Sequence, residues 1–404
     1  MPWNIKEVVE VRWNFVRARL RQPNQMLALC RRFGISRECG HKWWRRFVAD
    51  GRLGLQVRPS VPRWIAAFRQ QWLPRVLALR RTAPDFGPLK LCWGLRRQWP
   101  RGPWPAPRTV GRWLVAAGRV RRRVRRPAVG PVVATRKPGV AIRPNDVWSV
   151  DLKGWFLTGD RTRVCPLTVR DMATRCVLAV RHVHPAKEPQ VGAVLRRLFR
   201  RHGRPRVIKV DNGAPFGGPG PRGWTTLTAA WIRLGVRVEF SRPGCPQDNG
   251  AHEQMHRVLK KATARPPADN LRAQQRRFDR WRWHYNHRRP HAALGMRLPG
   301  ALYGSRHQQQ PVPAWRYPAT WPQVHPDAKG RIRWRKQQRL LGQAFAGRAL
   351  GLKPIHPDIF AVHYGPHLLG TLHATDLAGL RHVVWRQPKH QEREGLRPSR
   401  ALPI

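Results

Sequence analysis

The sequence predicts a multidomain α/β protein: a helical amino-terminal part, a central mixed sheet flanked by helices, and a small carboxy-terminal β-barrel. Three observations carry this expectation. Apolar runs of strand length alternate with helix-period segments between residues 144 and 304. Near the amino terminus, Gly34-Ile35-Ser36 separates two helical stretches. Toward the carboxy terminus, brief β-type runs are punctuated by Gly and Pro.

Residues 1–56 form the first predicted domain. Leu27, Ala28, Leu29 and Phe33 lead into the turn Gly34-Ile35-Ser36, with Ser36 as the N-cap of the next helix. That helix carries Arg37, His41, Lys42, Arg45 and Arg46 outward, and offers Trp43, Trp44 and Phe47 for packing. A helix, a Gly-containing turn and a basic second helix predict a helix-turn-helix, whose second helix enters the DNA major groove. The plainer alternative is a helical hairpin with a solvated basic face. Residues 61–120 read as a second helical DNA-binding region, with Thr109 expected to cap a short helix bearing Val110, Trp113 and Leu114. Residues 121–143 begin Arg-rich and continue through Pro127 and Pro131, which predicts a basic linker.

The catalytic candidate is the domain at 144–304. Segments 147–151, 164–170 and 176–183 read as three successive strands. A helix follows, because Val191, Val194, Leu195, Leu198 and Phe199 fall at i, i+3, i+4, i+7 and i+8, and Gly203 closes it. Next come the strand 207–210 ending on Asp211-Asn212-Gly213, a helix near 226–234, a strand at 236–240 and a helix from Asn249. Residues 308–385, with runs at 332–334, 359–363 and 368–372, predict the small β-barrel, and the polar stretch 386–404 is expected to be disordered.

Charge narrows the function classes. Lys and Arg number 79 against 21 Asp and Glu, a formal net charge of +58 over 404 residues. Such an excess repels itself and calls for a polyanionic partner. Nucleic acid fits, since each neutralised phosphate releases condensed counterions. Arg codons favoured by a GC-rich genome would inflate the same number. No stretch approaches the ~18 apolar residues of a membrane span, and residues 1–15 lack the apolar run of a signal peptide. Six cysteines without a C-x-x-C pair predict reduced thiols in a cytoplasmic protein. Cys30, Cys39 and His41 lie close in sequence but lack a fourth ligand at zinc spacing.

Within the core, Asp151 and Asp211 each end a predicted strand, where ligands usually bind in such sheets. On the helix from Asn249, Met255, Val258, Leu259 and Ala262 fall on a buried stripe, with Glu253, Arg257 and Lys260 opposite. Three carboxylates converging from two strand ends and a helix suit paired divalent ions for in-line displacement at phosphorus, with Mg²⁺ preferring their oxygens. Any one carboxylate alone is more often a surface charge or a cap. Asp146 and Asp248 are expected to serve in turns and Asp171 to be structural, with Asn249 capping the helix; Arg257 and Lys260 are expected to meet DNA phosphates, a plain solvated face being the alternative.

These motifs resemble a known family. Trp148-Ser149-Val150-Asp151-Leu152-Lys153-Gly154, Val210-Asp211-Asn212-Gly213 and Pro243-Gly244-Cys245-Pro246-Gln247-Asp248-Asn249-Gly250-Ala251-His252-Glu253 are similar to the DDE transposases of bacterial insertion sequences, in the superfamily of retroviral integrases. The segments Met1-Pro2-Trp3 and Tyr285-Asn286-His287-Arg288-Arg289-Pro290-His291 resemble it too. The resemblance implies an RNase H-like core, with Asp151, Asp211 and Glu253 as catalytic metal ligands for Mg²⁺, Mn²⁺ being able to substitute. It also implies an SH3-like fold for the carboxy-terminal barrel. The implied partners are transposon ends and target DNA, bound by a homo-oligomer in a synaptic complex at the bacterial nucleoid. Cys245 stands where family members often have His, and 217–223 is unusually rich in Gly and Pro. Three rival expectations remain: a non-catalytic DNA-binding regulator derived from a transposase, a nuclease that cleaves without joining, and a basic RNA-binding protein.

Overall fold

The computed structural model describes residues 5–56, 62–120, 141–152, 154–242, 250–304, 311–374 and 379–382. Contacts divide the chain into two compact units, Met1–Arg81 and Thr82–Ile404.

In the first unit, helices α1 (Ile5–Arg21), α2 (Met26–Arg32) and α3 (Arg37–Asp50) close on Phe15, Val16, Met26, Leu29, Cys30, Trp43 and Leu55. Ser36 caps α3 as expected, its hydroxyl accepting from the Cys39 backbone N–H at 3.2 Å. Gly40 sets how closely α2 and α3 approach, for a Cβ there would lie 2.5 Å from Cys30 Sγ. The two cysteines serve packing: Cys30 is buried, and Cys39 Sγ accepts from Trp43 Nε1 at 3.1 Å. Helix α4 (Arg63–Thr82) follows, with Pro74 inside it.

The second unit begins with α5 (Pro88–Gln98) and α6 (Pro107–Ala116), which pack together through elements bearing the buried Leu91, Leu95, Val110 and Leu114. Helix α6 starts two residues before the expected cap. Ala106 is its N-cap and Pro107 opens it, leaving Thr109 inside the first turn; proline's fixed φ and missing N–H favour that first position.

A five-stranded sheet follows in the order β5-β4-β1-β6-β7. Its strands are β1 (Val147–Leu152), β4 (Pro166–Asp171), β5 (Val177–His182), β6 (Val207–Val210) and β7 (Arg237–Phe240). A small hairpin, β2 (Phe156–Leu157) with β3 (Arg163–Val164), precedes β4. Strands β1, β4 and β5 pair antiparallel, while β1, β6 and β7 pair parallel, so the sheet is mixed.

The three central strands alternate strictly. Trp148, Val150, Leu167, Val169, Ile208 and Val210 enter one apolar core with α7 (Glu188–His202) and α8 (Thr226–Arg233). Ser149, Thr168 and Arg170 face the other way, toward α9 (Gly250–Thr263). A register shift between Val169 and Arg170 brings Val177 and Val180 into a second core with Met255, Leu259, Phe278 and Tyr285.

The helix α10 (Leu271–His287) was not foreseen from the sequence, and it seals the outer strand. Asn286 pairs both ways with the Val177 backbone at 2.9 Å, while Gln275 accepts from His182 N and donates to Val180 O. The edge that β5 would otherwise expose is thereby satisfied. A short helix α11 (Pro299–Tyr303) ends this part.

Among the described residues the carboxy-terminal part is mainly β, with one 3-10 turn at Gln343–Phe345. It comprises β8 (Gln323–Val324), β9 (Arg331–Trp334), β10 (Gln337–Leu340), β11 (Leu350–His356), β12 (Ile359–Tyr364), β13 (His367–His373) and β14 (Arg381–His382). Five of them make an antiparallel sheet in the order β14-β13-β12-β11-β8, and β9 pairs with β10. This part shares a core with the preceding domain: Trp224, Ala229 and Ile232 pack with Phe345, Leu350, Leu352, Val362 and Tyr364. Tyr364 Oη donates to Ala229 O at 3.0 Å, and Arg222 donates to Leu368 O at 3.1 Å. The Gly- and Pro-rich segment 217–223 thus forms a docking surface for the β sheet. Most of the expected linker, 121–140, and the expected tail, 386–404, lie outside the described residues.

Candidate active site

The site is built where β1 and β6 end. Their parallel register pairs Val147 with Val207, Trp148 with Ile208 and Ser149 with Lys209, a constant offset of 60 residues (207 − 147). Asp211 follows Asp151 by the same 60 residues (211 − 151). Asp151 lies two residues beyond the last paired position on β1, and Asp211 two residues beyond that position's partner, just past the end of β6. Residues two apart on a strand point to the same face, so Asp151 shares with Ser149 the face under α9.

Helix α9 leans on this face through two histidines. His252 and His256 are 2% and 3% exposed. His252 Nδ1 lies 2.7 Å from Ser149 Oγ, and the Nε2 atoms of both histidines lie 2.7 Å from Thr168 Oγ1. Thr168 also donates to Asp151 O at 3.1 Å, and His256 Nδ1 stands 3.7 Å from the Asp151 carboxylate. Arg170, buried in β4, donates to Ala251 O at 2.7 Å and anchors the helix start. Glu253 is exposed on the first turn, three residues before His256 and hence on its side of the helix. Arg257 and Lys260 are exposed further along α9.

The buried stripe of α9 differs from the expected one. Met255 and Leu259 are buried, but Ala262 is exposed and Val258 only half-buried; His252, His256 and Thr263 complete the stripe instead. The helix is rotated because Ser149 and Thr168 supply partners that make burial of imidazoles acceptable. Sequence reasoning missed both histidines for this reason.

Asp211 follows β6 directly and is exposed at the start of a loop. The surrounding protein pushes its carboxyl pKa up by desolvation, against which the Gly213 backbone amide acts. A Cβ on Gly213 would stand 3.4 Å from Asp211 Oδ2, so the glycine keeps that flank of the carboxylate clear. The loop is held in shape by Asn212, which donates to Ser241 O at 2.6 Å. It is also held by Gly217, where a Cβ would lie 2.2 Å from Asn212 O. Of the other acids, Asp171 accepts from Thr174 N, Thr174 Oγ1 and Asn145 N, and Asp146 accepts from Ile142 N and Arg143 N, as expected. Asp248, Asn249 and Cys245 lie outside the described residues.

A carboxylate pair at two strand ends, in a chain of such positive charge, is a donor set suited to hard divalent ions. Among the described residues, one group of three side chains is close enough together that it could hold a metal ion: Asp151, His252 and His256. In the first unit, Arg37, His41, Lys42 and Arg45 are exposed along α3, as expected, while Arg46 is half-buried over the Trp43 ring at 5.1 Å. Among the described residues no helix is long and apolar enough to cross a membrane.

Comparison with known proteins bears on the same stretch of the chain. Residues 141–246 match the Integrase core domain family, and residues 234–299 match a second family of the same description. Residues 141–299 are thus matched by integrase core domain models, and the chain is similar to proteins of bacterial insertion elements. The insertion element IS476 uncharacterized 39.2 kDa protein of Xanthomonas euvesicatoria is 30% identical over 189 residues, covering 46% of this chain and 52% of that protein. The insertion element IS407 uncharacterized 31.7 kDa protein of Burkholderia multivorans is 26% identical over 196 residues, covering 48% of this chain and 68% of that protein. The chain thus spans about half the length of the first relative. The catalytic core domain of BIV integrase aligns with a TM-score of 0.31 at 19% identity, over 39% of this chain and 93% of that one.

Proposed function

We propose that this protein is a transposase that cuts and rejoins DNA through Asp151, Asp211 and Glu253. The observation that supports this reading is the 60-residue offset of the β1–β6 register, which the spacing of Asp151 and Asp211 matches. Glu253 joins them from the first turn of α9, which His252 and His256 hold against the sheet. Bound Mg²⁺, or Mn²⁺ in its place, supplies charge stabilisation for the attacking and leaving oxygens of the phosphoryl transfer. The chain's own residues do the rest. The carboxylates hold the ions, Gly213 keeps one flank of Asp211 clear, and Arg257 and Lys260 meet the phosphates of the donor end.

In this reading the α2–α3 pair is a helix-turn-helix. Arg37, His41, Lys42, Arg45 and Arg46 approach the DNA of the terminal inverted repeats. The region 61–120 adds a second DNA-binding contact. The carboxy-terminal sheet is an SH3-like barrel seated on α8, and two ends are held by a homo-oligomer at the nucleoid. The test is a cleavage and joining assay with the full chain, labelled DNA carrying the element's ends and a target plasmid. Joined products with Mg²⁺ or Mn²⁺ and none with EDTA support the reading. Specific binding without cutting under either metal supports the non-catalytic regulator instead.

A further inference from the structure

We propose that His256 is a metal ligand, joining Asp151 through Nδ1, and that this nitrogen makes the site favour Mn²⁺ over Mg²⁺. The inference rests on the metal-binding role given to Asp151 above. It follows from counting protons around one hydroxyl. Thr168 Oγ1 contacts three groups: Asp151 O at 3.1 Å, His252 Nε2 at 2.7 Å and His256 Nε2 at 2.7 Å. One arrangement satisfies all three contacts: the hydroxyl hydrogen goes to Asp151 O, which can only accept, and both imidazoles donate from Nε2 to the lone pairs of Thr168.

That assignment separates the two histidines. His252, with its hydrogen on Nε2, accepts at Nδ1 from Ser149 Oγ at 2.7 Å. Both its nitrogens are engaged with the sheet, and it positions α9. His256, with its hydrogen likewise on Nε2, turns the Nδ1 lone pair toward the Asp151 carboxylate at 3.7 Å. A proton on Nδ1 makes this contact an ion pair, and a metal ion in the proton's place would be held by both atoms. Bonds of about 2.1 Å from each would span the gap to one ion. The Nε2–H donated to Thr168 is the kind of outer contact that fixes the tautomer of a metal-bound histidine. Imidazole suits transition metals, whereas Mg²⁺ keeps to oxygen ligands.

The test is pulsed electron paramagnetic resonance of Mn²⁺ bound to the full chain, prepared without a histidine tag, alongside calorimetric titrations of Mn²⁺ and Mg²⁺. Hyperfine coupling to an imidazole nitrogen is expected in the wild type, shifting to the ¹⁵N pattern when histidine is ¹⁵N-labelled. It should persist in His252→Gln and vanish in His256→Gln. The latter should also weaken Mn²⁺ binding about tenfold or more and Mg²⁺ binding far less, the scale of losses around metal-bound histidines. A wild-type spectrum showing bound Mn²⁺ with no nitrogen coupling overturns the proposal and leaves the carboxylate site standing. No Mn²⁺ binding at all overturns both.

Discussion

Ser149 pairs with Lys209 where β1 and β6 run parallel, and Asp151 and Asp211 each stand two residues further along the chain. The intervening β4, β5 and α7 leave β1 on one side of the sheet and return the chain to its other side. On the face of Asp151, Ser149, Thr168 and Arg170 meet the covering helix through His252, His256 and the Ala251 carbonyl.

Gly217 should tolerate no side chain. A Cβ would lie 2.2 Å from Asn212 O, which is backbone and cannot swing aside. Gly217→Ala is expected to lower stability by roughly 1–3 kcal/mol, the usual cost of overpacking, and to cut DNA joining by displacing Asp211. Thermal denaturation and the joining assay read both effects. An unchanged melting temperature would mean that the loop is not held as described.

Phe345 ties the carboxy-terminal sheet to the core. It is fully buried, 5.2 Å from the Tyr364 ring and 6.3 Å from Trp224 by ring centroids. Phe345→Ala should cost roughly 3–5 kcal/mol, measured by equilibrium denaturation. A loss under about 1 kcal/mol, well below that range, would show that the shared core is not formed.

Acid should weaken the fold through His291. Burial lowers its pKa to about 3, helped by Lys90, Arg289, Arg170 and Arg175. The unfolded chain therefore binds this proton near 6.5 while the folded chain refuses it. Folded stability falls as pH drops from about 6.5 toward 3 and is insensitive to this group above 6.5. His291→Gln should flatten the decline over that window in pH-dependent melting. An equally steep decline in the variant would assign the effect to other groups.

Arg45 is exposed on α3. If it meets a phosphate, Arg45→Ala should weaken binding to the element's end and reduce the slope of log affinity against log salt by about 1. Fluorescence anisotropy across a salt series gives that slope, and an unchanged slope would remove Arg45 from the DNA contact.

The strands of the site were legible because each is a short apolar run ending on an acid, as in Val207-Ile208-Lys209-Val210-Asp211. The cap at Ser36 was legible because its partner, Cys39, is three residues away. The role of His252 was not, since its partners Ser149 and Thr168 lie 103 and 84 residues distant. Helix α10 escaped notice because its buried positions include Gln274 and Asn286, polar residues that bond across the domain. Strand β11 was hidden by Gly351 and Pro354 within it, residues that normally argue against a strand.

The most direct test of the account compares joining rates of the wild type, Asp151→Asn, Asp211→Asn and the double variant on identical DNA with Mn²⁺. Groups that act as one unit are strongly non-additive. Each single variant should lose at least about 10²-fold in rate, on the scale of removing one charge-stabilising group, with the double variant no slower than either and DNA binding retained. Joining by Asp211→Asn at close to the wild-type rate would contradict the pairing of the two strand ends.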